Sequence, residues 1–130
     1  NKVLFYLDFA AYRETGAGFT GLRYAKAPFG PAPHQFELLM AGLIDGEALS
    51  LREQGNGQVV VAERPANPAM FSASDVSLLE AVCSFADGFA SASALSDYSH
   101  GERGWLETEV GDLISYEFAA DLRWDGESTC

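Results

Sequence analysis

One carboxylate, Asp8, stands inside a helical stretch in which Val3, Leu4, Phe5, Tyr6, Leu7, Phe9, Ala10 and Ala11 are apolar. A carboxylate so surrounded must be hydrogen-bonded or open into a groove, because burying it unpaired is costly. Two chemistries compete for it. As a tie, Asp8 accepts N–H or hydroxyl bonds from the segment that follows the helix, and this is the expected role. As a catalyst it needs a second positioned acid or base, and the nearby candidate cluster is His100 with Glu102 and Glu107. Those three are expected instead to tie a helix end to the next turn.

The other reactive residue types are sparse. His34 and His100 are the two histidines, too few and wrongly spaced for a zinc motif. Cys83 lies in a helical pattern and Cys130 at the chain end, without metal or redox spacing between them; Cys83 is expected to be buried filler. Gly16, Gly18 and Gly21 follow a helix rather than a strand, the wrong context for a dinucleotide-binding turn. These residues predict no catalytic, metal or cofactor-binding site. Trp105, on a short Gly-flanked segment, is either core or an interface anchor, with core expected.

The elements that hold these residues begin with a helix over Lys2–Tyr12, apolar nearly all round as a central helix is. Its start reads as one entered from upstream chain. A hook follows that combines Gly16, Gly18, Gly21 and Gly30 with Pro28, Pro31 and Pro33, so its backbone is constrained. Phe19–Ala27 is expected to be extended and Gly30–Pro33 a turn. Pro33 then stands near the first position of a second helix over His34–Ile44, with Phe36, Leu39, Met40, Leu43 and Ile44 as a core-facing stripe.

Leu49–Arg52 and Gln58–Ala62 predict a hairpin across Gln54, Gly55, Asn56 and Gly57. A helix followed by a hairpin has the outline of a winged helix-turn-helix, but only Arg52 and Arg64 stand near the wing. Pro65 and Pro68 make Arg64–Met70 a loop. Ser72 caps a third helix over Ala73–Ala86, with Asp75 at its third position and Phe71 stapled to Val76. Ser91 or Ser93 caps a shorter helix to about Ser99, with Leu95 and Tyr98 inward. A break at Gly101–Gly104 follows, then an extended run into a final helix through Tyr116 and Leu122, and a polar tail over residues 125–130. The expectation is an α+β fold, predominantly α-helical, with a small β-hairpin and a single domain over residues 1–124.

With 19 acidic and 8 basic residues, the chain carries a formal net charge of −11. That argues against the phosphate neutralisation on which nucleic-acid binders depend, and it suits a basic protein partner. No apolar run reaches the roughly 18 residues of a membrane helix, and the first helix lacks the flanks of a signal peptide, so a soluble, cytoplasmic protein with no membrane partner is expected.

The order LFYLDFAAYRETG, TGLRYAKAPFGPAP, LSDYSHGERGW and LISYEFA resembles the Panacea antitoxin domain, the family of SocA-like and phage GepA-like proteins. The residues that carry the likeness are Tyr6 and Asp8 in the first helix, then Thr20, Gly21 and Tyr24, then Gly30, Pro31 and Pro33. Toward the end they are Leu95, Ser96, Ser99, His100 and Trp105, and finally Ile114, Tyr116 and Glu117. Phe19 and Ala32 depart from the common pattern. The resemblance implies a mostly helical, non-enzymatic domain that neutralises a cognate toxin by direct binding. SocA-like members also deliver the toxin to an ATP-dependent protease. Phe29, Pro31, Pro33 and Phe36 around the hook are the candidate partner contacts, with internal packing the equal alternative for each. The competing reading is the sensory or dimerising half, as a homodimer, of a transcription regulator whose helix-turn-helix lies upstream.

Overall fold

The computed structural model describes residues 2–55, 57–65 and 68–125. Asn1, Asn56 of the hairpin turn, two residues of the proline loop and the tail from 126 lie outside them. The described chain is an α+β fold dominated by helices, with two separate two-stranded antiparallel sheets. It divides into two compact units, one joining Asn1–His34 to Ser72–Cys130 and the other formed by Gln35–Phe71.

The first unit is built on helix α1, Lys2–Thr15. Phe5, Tyr6, Leu7, Phe9 and Ala10 are buried, and they pack with Tyr24, Val82, Phe85, Leu95, Ile114, Ala119 and Trp124 in one core cluster. Its aromatic rings are densely joined: Phe9 stacks on Tyr116 at 4.5 Å between centroids, and Phe85 on Trp124 at 4.9 Å. Such rings carry much of the burial energy of a small core.

After α1 come β1 (Tyr24–Ala27) and β2 (Gly30–Pro33), paired from Tyr24↔Pro33 to Ala27↔Gly30. Gly30–Pro33 is therefore a strand and not the expected turn; the turn is Pro28 and Phe29. Two prolines are admissible because β2 is an edge strand, where missing N–H donors break no inner ladder. The opposite edge of β1 is met by a later segment: Lys26 N–H donates to Asp112 O at 3.0 Å, and Ile114 N–H to Tyr24 O at 2.7 Å.

Helix α3, Ala73–Asp87, opens on a full capping box in which Ser72 and Asp75 bond each other's backbone. Val82 and Phe85 point to the core. Cys83 is exposed, against the expectation of burial. It stands one residue beyond Val82, about 100° round the helix from the inward stripe. Helix α4, Ala92–Ser99, is capped by Ser91 and runs at 103° to α3. A short α5, Arg103–Glu107, follows, and the expected final helix is a 3-10 helix over Tyr116–Asp121. Among the described residues, no single helix is long and apolar enough to cross a membrane.

The second unit holds α2, Phe36–Asp45, and the hairpin of β3 (Leu49–Gln54) and β4 (Gly57–Ala62). The helix starts two residues later than expected, after Gln35 at φ 58°. Its apolar stripe is half-buried at best, and Ile44 is exposed. The stripe's spacing was that of a core face, but a helix and one hairpin enclose too little volume to bury it.

Candidate functional site

Asp8 is fully buried, and both of its carboxylate oxygens are engaged. Oδ1 accepts the Thr20 N–H at 2.6 Å, while Oδ2 accepts the Thr20 and Tyr24 hydroxyls, each at 2.5 Å. The carboxylate thereby fastens α1 to the loop at Thr20 and to β1. Burial, and then the neighbouring Asp8 charge, push the Tyr24 and Tyr116 phenols far above their ordinary value. Tyr116 Oη donates to Leu22 O at 2.6 Å and closes the same loop from the other side. With Asp8 and Tyr24 both sealed from solvent, the group has the geometry of a tie.

Gly16, Gly18 and Gly21 stand at G-x-G-x-x-G spacing, but they lead out of α1 toward a strand, the reverse of the strand-to-helix order that presents backbone N–H groups to a pyrophosphate. A Cβ on Gly18 would meet Tyr116 Oη at 3.3 Å and Asp8 Oδ1 at 3.5 Å. Gly18 therefore serves the tie.

His100, Glu102 and Glu107, the candidate catalytic cluster, do not converge on one another. Glu102 turns inward, where it accepts the Tyr6 hydroxyl at 2.7 Å on Oε2 and the Arg123 N–H at 3.1 Å on Oε1. Burial raises its carboxyl above the ordinary value, opposed by these hydrogen bonds. Glu107 faces solvent and pairs with Arg103. Arg123, absent from the sequence reading, lays its guanidinium 3.8 Å from the centre of the Tyr98 ring and donates to Tyr98 O at 2.7 Å. Trp124, also missed, is part of the core.

His100 does another job. Its Nε2 lies 2.9 Å from Pro28 O, and its Nδ1 lies 2.6 Å from Ser96 O. A neutral imidazole can donate to only one of these carbonyls, and the imidazolium donates to both. On either side, Trp105 Nε1 donates to Ala27 O at 2.9 Å, and Ser96 Oγ donates to Phe29 O. The carbonyls of residues 27, 28 and 29 are thus held by side chains from α5, from the residue that ends α4, and from α4 itself. Trp105 is itself gripped, with the His100 ring edge-on at 4.5 Å and Lys26 Nζ 4.2 Å above its face.

Gly30 completes the arrangement at φ +110°, a conformation natural to glycine. An added Cβ would lie 2.9 Å from Lys2 Cε and inside contact distance of Ser99 Oγ. What this turn shows to solvent is Phe29, whose residue is 76% exposed. Beside it runs a groove of about 640 Å³, with Val3, Leu95, Ser96 and His100 among its lining residues.

Of the four candidate contact residues, the structure leaves Phe29 on the surface of this unit. Pro31 and Pro33 are buried by β2 pairing and packing, so they act as internal supports. Phe36 belongs to the second unit. Among the described residues, no group of three or more His, Cys, Asp or Glu side chains is placed to hold a metal ion.

Residues 1–106 match the family model for the antitoxin SocA-like, Panacea domain. That span contains the first three quoted segments in full and stops before Ile114 and Tyr116. No curated protein and no solved structure gives a match.

Proposed function

We propose, for a chain that belongs to the SocA-like Panacea antitoxin family, that it neutralises a cognate toxin by direct contact and that the Phe29 turn anchors the interface. The supporting observation is the fastening of the carbonyls of residues 27–29 by Trp105, His100 and Ser96 around an exposed aromatic side chain. A large side chain on a rigid turn loses little conformational freedom on binding, and such preorganised aromatics are where interface energy concentrates.

Catalysis does not enter this reading. Asp8 and Glu102 spend their oxygens on internal donors. The net charge of −11 favours encounter with a basic toxin. Delivery of the captured toxin to an ATP-dependent protease is a further step of the same reading, and it would use a face other than the Phe29 turn.

The test is co-expression with the product of the adjacent gene. Growth should be rescued from that protein's toxicity, and the two chains should elute as one complex. Absence of both rescue and complex overturns the reading.

A further inference from the structure

The second unit is the part of the chain least able to satisfy itself. None of its described residues is buried, and it presents Leu38, Ile44, Leu51, Val60 and Met70 as exposed large apolar side chains. A lone two-stranded hairpin is marginal in water, and exposed apolar groups gathered on one element mark an interaction site more often than scattered ones do.

The register shows where they gather. Leu51 and Val60 are direct partners across the hairpin, so their side chains share one face. Val59 and Val61 alternate with Val60 and are half-buried, whereas Val60 is 56% and Leu51 40% exposed. Leu49↔Ala62 lies on the same side, with Ala62 exposed and Leu49 half-buried. One face of the hairpin therefore shows Leu51 and Val60 to solvent, with the polar pair Glu53↔Gln58 next to them, while Val59 and Val61 lie half-buried on the other.

Charge decides what can cover that outward face. Glu37, Asp45, Glu47, Glu53 and Glu63 are exposed in this unit against Arg52 and Arg64. A second copy of the chain would bring the same excess of carboxylates, and like charges juxtaposed at an interface are strongly unfavourable. A partner with apolar side chains set among lysines or arginines fits both the face and its surroundings.

We infer that the Leu51–Val60 face of the β3–β4 hairpin is a toxin-docking surface, covered by a basic, apolar-centred face of that protein. This rests on the antitoxin reading above. The probe is the purified protein encoded beside this gene, titrated calorimetrically against the full chain. L51S/V60S should weaken binding by on the order of tenfold or more while lowering the urea midpoint only slightly, by the loss of one partly exposed cross-strand pair. E37K/E53K should weaken binding and flatten its dependence on salt. In the wild-type complex, amide exchange over residues 49–62 should slow.

Unchanged affinity in L51S/V60S, with unchanged exchange over 49–62, overturns the inference while the antitoxin reading stands. A wild-type dimer in light scattering that L51S/V60S converts to monomer also overturns it, by assigning the face to a second copy. Salt-independent wild-type binding removes the basic partner. If the wild type does not bind at all, the antitoxin reading has failed and the docking surface falls with it.

Discussion

Tyr6 and Asp8, two residues apart on one helix, send their polar ends to opposite sides of the core. The Tyr6 hydroxyl reaches Glu102, and the Asp8 carboxylate reaches Thr20 and Tyr24. Two residues of an α-helix subtend about 200°, so no rearrangement is needed for α1 to hold partners on both flanks. The helix is a central pin with a polar tie on each side, both within an otherwise apolar interior. Each tie has measurable consequences.

Asp8→Asn should destabilise the chain by about 2–3 kcal/mol, the range for losing charge-assisted bonds in a buried site. The amide NH2 would face N–H and O–H donors, and one of its two heavy atoms would lose its acceptor role. Tyr24→Phe removes one donor and leaves both Thr20 bonds, so its cost should be smaller, about 1 kcal/mol. Urea unfolding of the two variants measures the difference. Equal, small effects would show that Asp8 is held by packing alone.

Glu102 makes its tie pH-dependent. Its carboxyl is raised by burial above the ordinary value of 4.5, so the folded chain holds that proton more tightly than the unfolded chain. The resulting stabilisation is fully present below 4.5 and is lost as pH rises through the folded-state value. Glu102→Gln keeps the shape and cannot titrate. The stability of the wild type relative to this variant should therefore increase as pH falls from neutrality toward 4.5, read as a difference of unfolding free energies. A difference that does not vary with pH would contradict it.

Gly30 tests the seat of the turn. Gly30→Ala should cost about 2 kcal/mol from its positive φ alone, with an added penalty from Ser99. Gly30→Val should be worse, because a β-branched residue is least suited to that region. Combining Gly30→Ala with Ser99→Gly should recover the Ser99 share of the steric cost and leave the backbone part. Full recovery in the double variant would mean that φ is not the constraint.

How far these features were legible depends on sequence distance. The Ser72 and Asp75 capping box is a local code, and so is the β3–β4 hairpin with its Gly-flanked turn. Both were readable because their partners lie within a few residues. Gly30–Pro33 was misread for the same reason: its prolines look locally like a turn, and only pairing with Tyr24–Ala27 makes them a strand. The Tyr6 to Glu102 bond spans 96 residues, and nothing in the spacing of Asp97, Glu102 and Glu107 says which carboxylate turns inward. The pinning of residues 27–29 was invisible too, since Trp105, His100 and Ser96 follow about 70 residues later.

Those pins separate contact from preorganisation. Phe29→Ala deletes the exposed ring itself, so stability should stay within about 0.5 kcal/mol, and toxin affinity should fall on the order of thirtyfold, as for an interface anchor. His100→Ala leaves Phe29 in place but releases Pro28 O, so the ring must be ordered at the moment of binding. Its affinity loss should be smaller and should lie mainly in slower association, because fewer encounters find the turn in its bound shape. Stopped-flow association rates for the two variants with the co-purifying protein distinguish these effects. If His100→Ala leaves both rate and affinity untouched while Phe29→Ala abolishes binding, the ring is an anchor that needs no pinned turn.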